Sequence, residues 1–335
     1  MFKKLVLCAL SAALIATLLT ACAAAQPTAT PVPTKPQLVH IKLPMGYIPN
    51  VQFAPFYVAV EKGYFKDAGI EVDFDYAFET DGVALVGADT LQFGIASGDQ
   101  VLQARSKNLP IVYVAAWYQK YPVSIISIVD QNIHAPQDLK GKKIGLPGLF
   151  GASYVGLRAV LHGAGLQESD VTLDSIGFNQ VEAFTSGKDP IIVGYAANEP
   201  VVLTAKGYPL NELRISDYAQ LASNGIITNE NTVKNHPDLI RKFVGAVVHG
   251  IQDTIDDPGE AFEISKKYVT NLDQVDPTTQ MQVLTTSVGL WQAPVIGFSD
   301  PASWDNMQKV LLDMKLYPTA LDVSKAYSND FLPQK

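Results

Sequence analysis

From Leu38 onward the hydrophobic and polar positions switch between a period of two and a helical period. Residues 38–43 (LVHIKL) are apolar and alternating, which predicts a strand. GYIPN at 46–50 has the Gly, Pro and Asn of a loop. Residues 53–62 are apolar on every face and predict a buried helix, with Gly63 and Gly69 at its end and in the turn beyond. IEVDF at 70–74 alternates strictly and predicts a second strand. A short helix at 81–86, a strand at 91–95, a helix opened by Ser97-Gly98-Asp99-Gln100 and running to Lys107, and an apolar strand at 110–115 complete a βαβα series. That order, with short loops, predicts a parallel sheet covered by helices.

The pattern then restarts. Strands are expected at 123–129, 143–146, 171–176 and 190–195. Helices are expected from the Gly-rich segment at 148–153 to about His162 and at 181–184, with a short helical turn at 137–142. Residues 222–229 would carry the chain back, and helices follow at 237–253, 258–269, 278–290 and 301–314. Two such units, the second inserted in the first, make two lobes around a cleft. Their expected extents are 38–122 for the first part of lobe 1, 123–225 for lobe 2, and 226–335 for the return to lobe 1 with the C-terminal helices.

The segment before Leu38 has a different character. Residues 1–4 carry two lysines, and residues 5–19 are uncharged and mostly Leu, Ala, Val and Ile. A run of about 15 residues is short for a membrane span, which needs roughly 20. With a basic start and small residues after it, it reads as a signal peptide over 1–21. Leu19-Thr20-Ala21-Cys22 resembles a bacterial lipobox, which implies diacylation of Cys22 and cleavage before it. The Ala-, Thr- and Pro-rich stretch at 23–37 has no aromatic residue and reads as a tether. The expected location is therefore the extracytoplasmic face of a cell membrane, held by a lipid anchor.

Composition narrows the function classes. Loss of Lys3 and Lys4 with the leader takes the formal net charge from −8 to −10, since residues 1–21 hold no acid. An acidic body argues against nucleic acid as a partner. Cys8 lies in the leader, so Cys22 would be the only mature cysteine and no disulfide could form. His40, His134, His162, His236 and His249 show no metal-ligand spacing, and no metal site is expected. There is no Gly-x-Ser-x-Gly elbow, and no histidine can be assigned as partner to the Ser97-Gly98-Asp99 turn.

GYIPNVQFAPFYVAVEKGYF at 46–65, FGIASGDQ at 93–100, DLKGKKIGLP at 138–147 and YAANEPV at 195–201 resemble type II periplasmic substrate-binding proteins. They are most similar to the branch that binds thiamine pyrimidines and sulfonates. The resemblance implies an α/β, two-lobed type II periplasmic-binding-protein fold. Each lobe would be a mostly parallel sheet flanked by helices, with the ligand cleft between lobes. It implies a monomeric solute-binding protein that delivers a small molecule to the permease of an ABC importer, with no cofactor and no catalytic residue. Eukaryotic pyrimidine synthases of the same superfamily carry a cysteine-rich motif. This chain lacks it, so it departs from the enzyme pattern.

In that fold the ligand meets loops at the C-terminal ends of strands. Here those loops are aromatic and polar. The expected ligand-binding residues are Tyr47, Asn50, Asp81, Asp99, Gln100, Trp117, Tyr118, Phe150, Tyr154, Tyr195, Asn198 and Glu199, with Glu79 a further candidate; Phe53 and Phe56 are expected to fill the core. The rings would clamp a flat π-system. Arg105 and Arg158 fall inside helices, and without a bidentate arginine a sulfonate or phosphate ligand is disfavoured. Amides and carboxylates suit a neutral ligand with many donors. Riboflavin fits, with its isoalloxazine ring and hydroxylated chain. A hydroxymethylpyrimidine whose exocyclic amine donates to a carboxylate is the alternative. A secreted enzyme related to the pyrimidine synthases, or a sensory or adhesion lipoprotein on the same fold, are the remaining readings.

Overall fold

The structure, a computed structural model, describes residues 38–270 and 272–334; Cys22 and the expected leader and tether lie outside them. Strand β1 (Val39–Pro44) pairs in parallel with β2 (Ile70–Asp75), Val39 opposite Ile70 and Pro44 opposite Asp75. The alternation in the sequence sets the two faces. Ile41 and Leu43 are fully buried, while Lys42 reaches Asp75 across the pair at 2.8 Å.

Beside this pair stands a three-stranded sheet of β3 (Gly94–Ser97), β4 (Ile111–Ala116) and β10 (Asn224–Asn229), with β10 in the middle and antiparallel to both neighbours. The second lobe is built on five strands. In spatial order they are β7 (Thr172–Ser175), β6 (Lys143–Leu146), β8 (Ile191–Tyr195), β5 (Val123–Ile128) and β9 (Leu210–Arg214). Here β6 runs parallel to β7 and β8, whereas β5 opposes both β8 and β9. The α/β class and the cleft are as expected. Strand directions, however, are mixed across the three sheets rather than mostly parallel, because the strands that enter and leave the second lobe, β5 and β10, each run against their neighbours. IVYVAA and VSIISI are buried along almost their whole length, as strands covered on both faces should be.

The chain crosses between lobes twice, from β4 to β5 and from β9 to β10. Helices Ala54–Glu61 and Pro237–Asp256 pack together over the first lobe. Gly250 makes that approach possible, since a Cβ there would lie 2.1 Å from the Pro55 carbonyl oxygen. Three C-terminal helices share one start signal. Asp257, Asp276 and Asp300 each accept a backbone N–H in the first turn, and each is followed by proline at the first helical position. The last of them, Pro301–Asp313, packs on helices from both lobes, Gly98–Ser106 and Gly151–Gly163. Its Trp304 is fully buried, stacked on Tyr327 and edge-on to Tyr113.

Besides short 3-10 turns, four elements go beyond the sequence reading: the helix Tyr64–Asp67, the helix Glu199–Ala205, which follows the NEP segment, the strand β9 and the helix Glu230–Asn235. No helix among the described residues is long and apolar enough to cross a membrane.

Candidate functional site

Loops from both lobes meet over a cleft whose space outside protein atoms, mouth included, is about 760 Å³. From the first lobe come Met45, Gly46 and Tyr47 after β1, Gln52 and Phe53 at the start of the next helical turn, and Phe78 and Glu79 after β2. Trp117 and Tyr118 follow β4, and Asn224 opens β10. From the second lobe come Pro147 and Phe150 through Ser153 after β6, Phe178 and Gln180 after β7, and Tyr195 at the end of β8 with Asn198 and Glu199 after it. Nearly all follow the C-terminal ends of strands, where α/β folds place ligands.

The rings are arranged in two groups. Towards the hinge, Phe53 stacks on Trp117 at 5.1 Å between centroids, Trp117 lies 4.6 Å from Tyr118, and Tyr118 meets Tyr195 edge-on at 6.0 Å. A second group joins the lobes. Tyr47 is edge-on to Phe178 at 4.7 Å, and Phe78 packs against both Phe178 at 4.9 Å and Phe150 at 5.4 Å. Phe78 is partly exposed, 37% of its surface remaining open.

Two carboxylates sit among these rings. Glu79 Oε2 accepts from the Ser97 backbone N–H at 3.0 Å and the Ser97 hydroxyl at 2.7 Å, and its Oε1 accepts from Asn224 Nδ2 at 2.6 Å. Burial, reinforced by the nearby Asp99 charge, pushes its pKa up to about 7 despite those three donors. Glu199 Oε2 accepts the Tyr195 N–H at 2.7 Å and Oε1 the Asn198 amide at 3.2 Å. Burial raises its pKa as well. The backbone is shaped around both groups. Gly46 has φ +77° and a Cβ there would lie 2.7 Å from Glu79 Cγ; a Cβ on Gly194 would lie 2.6 Å from Glu199 Oε2.

The remaining polar groups are neutral. Gln52 Nε2 donates to the Tyr118 hydroxyl at 3.1 Å, and the Tyr195 hydroxyl donates to Asn224 Oδ1 at 3.0 Å. Ser153 and Gln180 complete the polar lining, and the backbone N–H groups at the start of helix Gly151–Gly163 have no side-chain cap. No lysine, arginine or histidine is among the described residues that line the cleft, and no cluster of potential metal ligands occurs among the described residues.

Seven of the twelve residues expected at the ligand are brought together here: Tyr47, Trp117, Tyr118, Phe150, Tyr195, Asn198 and Glu199, with Glu79 beside them. The other five lie elsewhere. Asn50 caps the turn Val51–Phe53 by accepting from the Gln52 N–H. Asp81 is exposed in the first turn of helix Glu79–Gly87. Asp99 is fully buried behind the cleft, where its Oδ2 accepts from Gln100 and Gln103 and burial raises its pKa; Gln100 is spent on that contact. Tyr154 turns away from the cleft and donates to Glu168 at 2.6 Å. Phe53, expected in the core, is both core and cleft wall. Sequence reasoning missed Gln52, Phe78, Ser153, Phe178, Gln180 and Asn224. The strand-end rule would have reached Phe178 and Gln180 had it been applied to the loop after β7.

Comparison with known proteins agrees with the fold. The family profile described as NMT1/THI5 like matches residues 50–261. The chain is 39% identical to the riboflavin-binding protein RibY of Chloroflexus aurantiacus, with 96% of each chain covered. It is 25% identical to a formylaminopyrimidine-binding protein of Halalkalibacterium halodurans, over 80% of this chain and 83% of that one. Among solved structures, the alkanesulfonate-binding protein SsuA of Xanthomonas axonopodis pv. citri superposes with a TM-score of 0.70 at 14% identity, covering 88% of this chain and 99% of that one.

Proposed function

This chain belongs to the NMT1/THI5-like family, and we propose that it is the solute-binding component of an ABC importer, capturing riboflavin and handing it to a membrane permease. On this reading the protein works as a monomer, tethered through lipidated Cys22 at the extracytoplasmic face, and it binds its cargo without transforming it. The observation that carries the reading is the lining of the cleft. Aromatic rings contributed by both lobes surround neutral amides, hydroxyls and two carboxylates, and the described lining holds no cation.

Each part of that lining has a counterpart in riboflavin. Tyr47, Phe78, Trp117, Phe150 and Phe178 offer faces and edges to the flat ring, about 0.5–1.5 kcal/mol for each well-placed aromatic pair beyond the area buried. Gln52, Gln180, Asn198 and the free N–H groups at Gly151–Ser153 can meet imide oxygens and nitrogens. Glu79 and Glu199 accept from hydroxyls. The similarity to RibY supports the same cargo. An aminopyrimidine is the second reading, favoured by the two carboxylates, which would accept its exocyclic amine.

Native mass spectrometry of the protein purified from a flavin-replete host tests the reading. A mass increment of one riboflavin, with a yellow preparation, is expected. An increment matching an aminopyrimidine instead would select the second reading.

A further inference from the structure

We propose that the cleft admits its ligand only in unphosphorylated form, and that Glu79 and Glu199 are the specificity-determining residues that turn the phosphate ester away. The inference rests on the cleft being the ligand site, and it deepens that reading by fixing the charge of the cargo.

Every donor that holds the two carboxylates is neutral: the Ser97 N–H and hydroxyl and the Asn224 amide for Glu79, the Tyr195 N–H and Asn198 amide for Glu199. The two groups belong to one hydrogen-bonded chain. Glu199 accepts the Tyr195 N–H, the Tyr195 hydroxyl donates to Asn224, and Asn224 donates to Glu79. The acids are thus fixed in place and cannot swing aside for an incoming anion.

The arginines that could offset them are committed elsewhere. The chain has four arginines, and each is paired with an acid outside the cleft: Arg105 with Glu230, Arg158 with Glu168, Arg214 with Glu212 and Arg241 with Asp238. A phosphate monoester brings a charge of about −1.5 to −2 at neutral pH. The helices that begin at Glu79 and Glu199 already hold those acids in their own first turns, and the longest helix that opens on the cleft without a side-chain cap or an acid in its first turn is Gly151–Gly163. A helix terminus is worth roughly half a positive charge, too little against two carboxylates in a partly desolvated cleft once the pH is high enough to ionise both. That terminus suits a neutral carbonyl oxygen of the ring.

The consequence reaches beyond the protein. Where the heterocycle is present outside the cell as a phosphate ester, hydrolysis must precede capture, with water cleaving the ester to the alcohol and inorganic phosphate. The protein therefore acts downstream of a phosphomonoester hydrolase.

Paired titrations test this: riboflavin against riboflavin 5′-phosphate, and hydroxymethylpyrimidine against its phosphate, with the full mature chain at pH 8. For whichever parent binds, the ester is expected to bind at least about 30-fold more weakly, roughly 2 kcal/mol. Glu79→Gln/Glu199→Gln should shrink that ratio to below about fivefold. Gln180→Lys, which adds a cation to the lining, should shrink it independently. An ester that binds within threefold of its parent in the unmodified protein overturns the inference and leaves the ligand reading standing. So does a ratio that neither variant moves while circular dichroism stays unchanged. Binding by the pyrimidine pair alone removes riboflavin as cargo, and the inference is then decided on that pair. Failure of both parents to bind overturns the two together.

Discussion

The Tyr195 hydroxyl donates to Asn224 Oδ1 at 3.0 Å, joining the last residue of β8 in one lobe to the first residue of β10 in the other. The contact fixes which way the Asn224 amide faces, so that its Nδ2 can donate to Glu79 at 2.6 Å. A phenol in the second lobe thereby positions a carboxylate in the first.

Tyr195→Phe removes that donor while keeping the ring. A buried hydrogen bond is worth about 0.5–1.5 kcal/mol, so stability should fall by roughly 1 kcal/mol. Ligand affinity should fall about five- to tenfold as Asn224 and Glu79 lose their fixed orientation. Urea unfolding and a binding titration measure the two effects. Unchanged affinity would show that the bridge does not position the site.

Gly46 and Gly63 separate backbone strain from site geometry. Both have positive φ, +77° and +82°, but a Cβ at Gly46 would collide with Glu79 whereas nothing lies within 4 Å of one at Gly63. Gly63→Ala should cost about 1 kcal/mol of stability, the penalty for a left-handed residue, and leave binding unchanged. Gly46→Ala should cost at least as much and also weaken binding about tenfold or more by displacing Glu79. Equal affinities for the two variants would contradict the packing described around Glu79.

The acids of the cleft give stability an unusual pH dependence. Glu79 rises from 4.5 to about 7 on folding, and Asp99 and Glu199 are also raised by burial. A raised carboxyl pKa means that the folded protein keeps protons the unfolded chain has released. Its contribution is therefore greatest below the unfolded pKa and is lost as pH rises through the folded one. For Glu79 the loss between about pH 4.5 and 7 is on the order of 3 kcal/mol. The ligand-free protein should be less stable at pH 8 than at pH 5.5, and Glu79→Gln should flatten that slope. At more acid pH the opposite sign takes over, because carboxylates such as Asp174, held down by Lys143 and Lys188, are protonated. Thermal unfolding across pH 4–8.5 measures the profile, and a wild-type stability that rises from pH 5.5 to 8 would refute it.

Trp117 should report binding. It lies in the cleft wall, stacked on Phe53 and 6.2 Å from Trp291, whereas Trp304 is buried in the packing of the last helix. Ligand that stacks in the cleft should quench Trp117 emission, and Trp117→Phe should remove most of the response with little loss of affinity. A response undiminished in that variant would place the ligand elsewhere.

Much of the fold was legible because burial and chain order leave strong local marks. IEVDF alternates, VSIISI is apolar throughout, and Asp-Pro opens three helices. β9 left no such mark. LNELR has two apolar residues spaced by three, a pattern that fits an edge strand with one partner no better than a loop. Strand direction was hidden for another reason: β5 and β10 are antiparallel because of the crossovers between lobes, a long-range property. In the site, the aromatic residues at strand ends were identifiable, while polar residues were harder to sort. Asn50 and Gln52 are two positions apart, yet one caps a turn and the other faces the cleft. Tyr154 follows four cleft-lining residues, but one further step round the helix carries it to Glu168.

The central claim, that the cleft takes up riboflavin, is tested most directly by titrating the protein into riboflavin and following flavin fluorescence. Saturable one-to-one quenching with a dissociation constant of about 1 μM or lower, equivalent to roughly −8 kcal/mol, is the expected result. Undiminished flavin emission at tens of micromolar folded protein would contradict it.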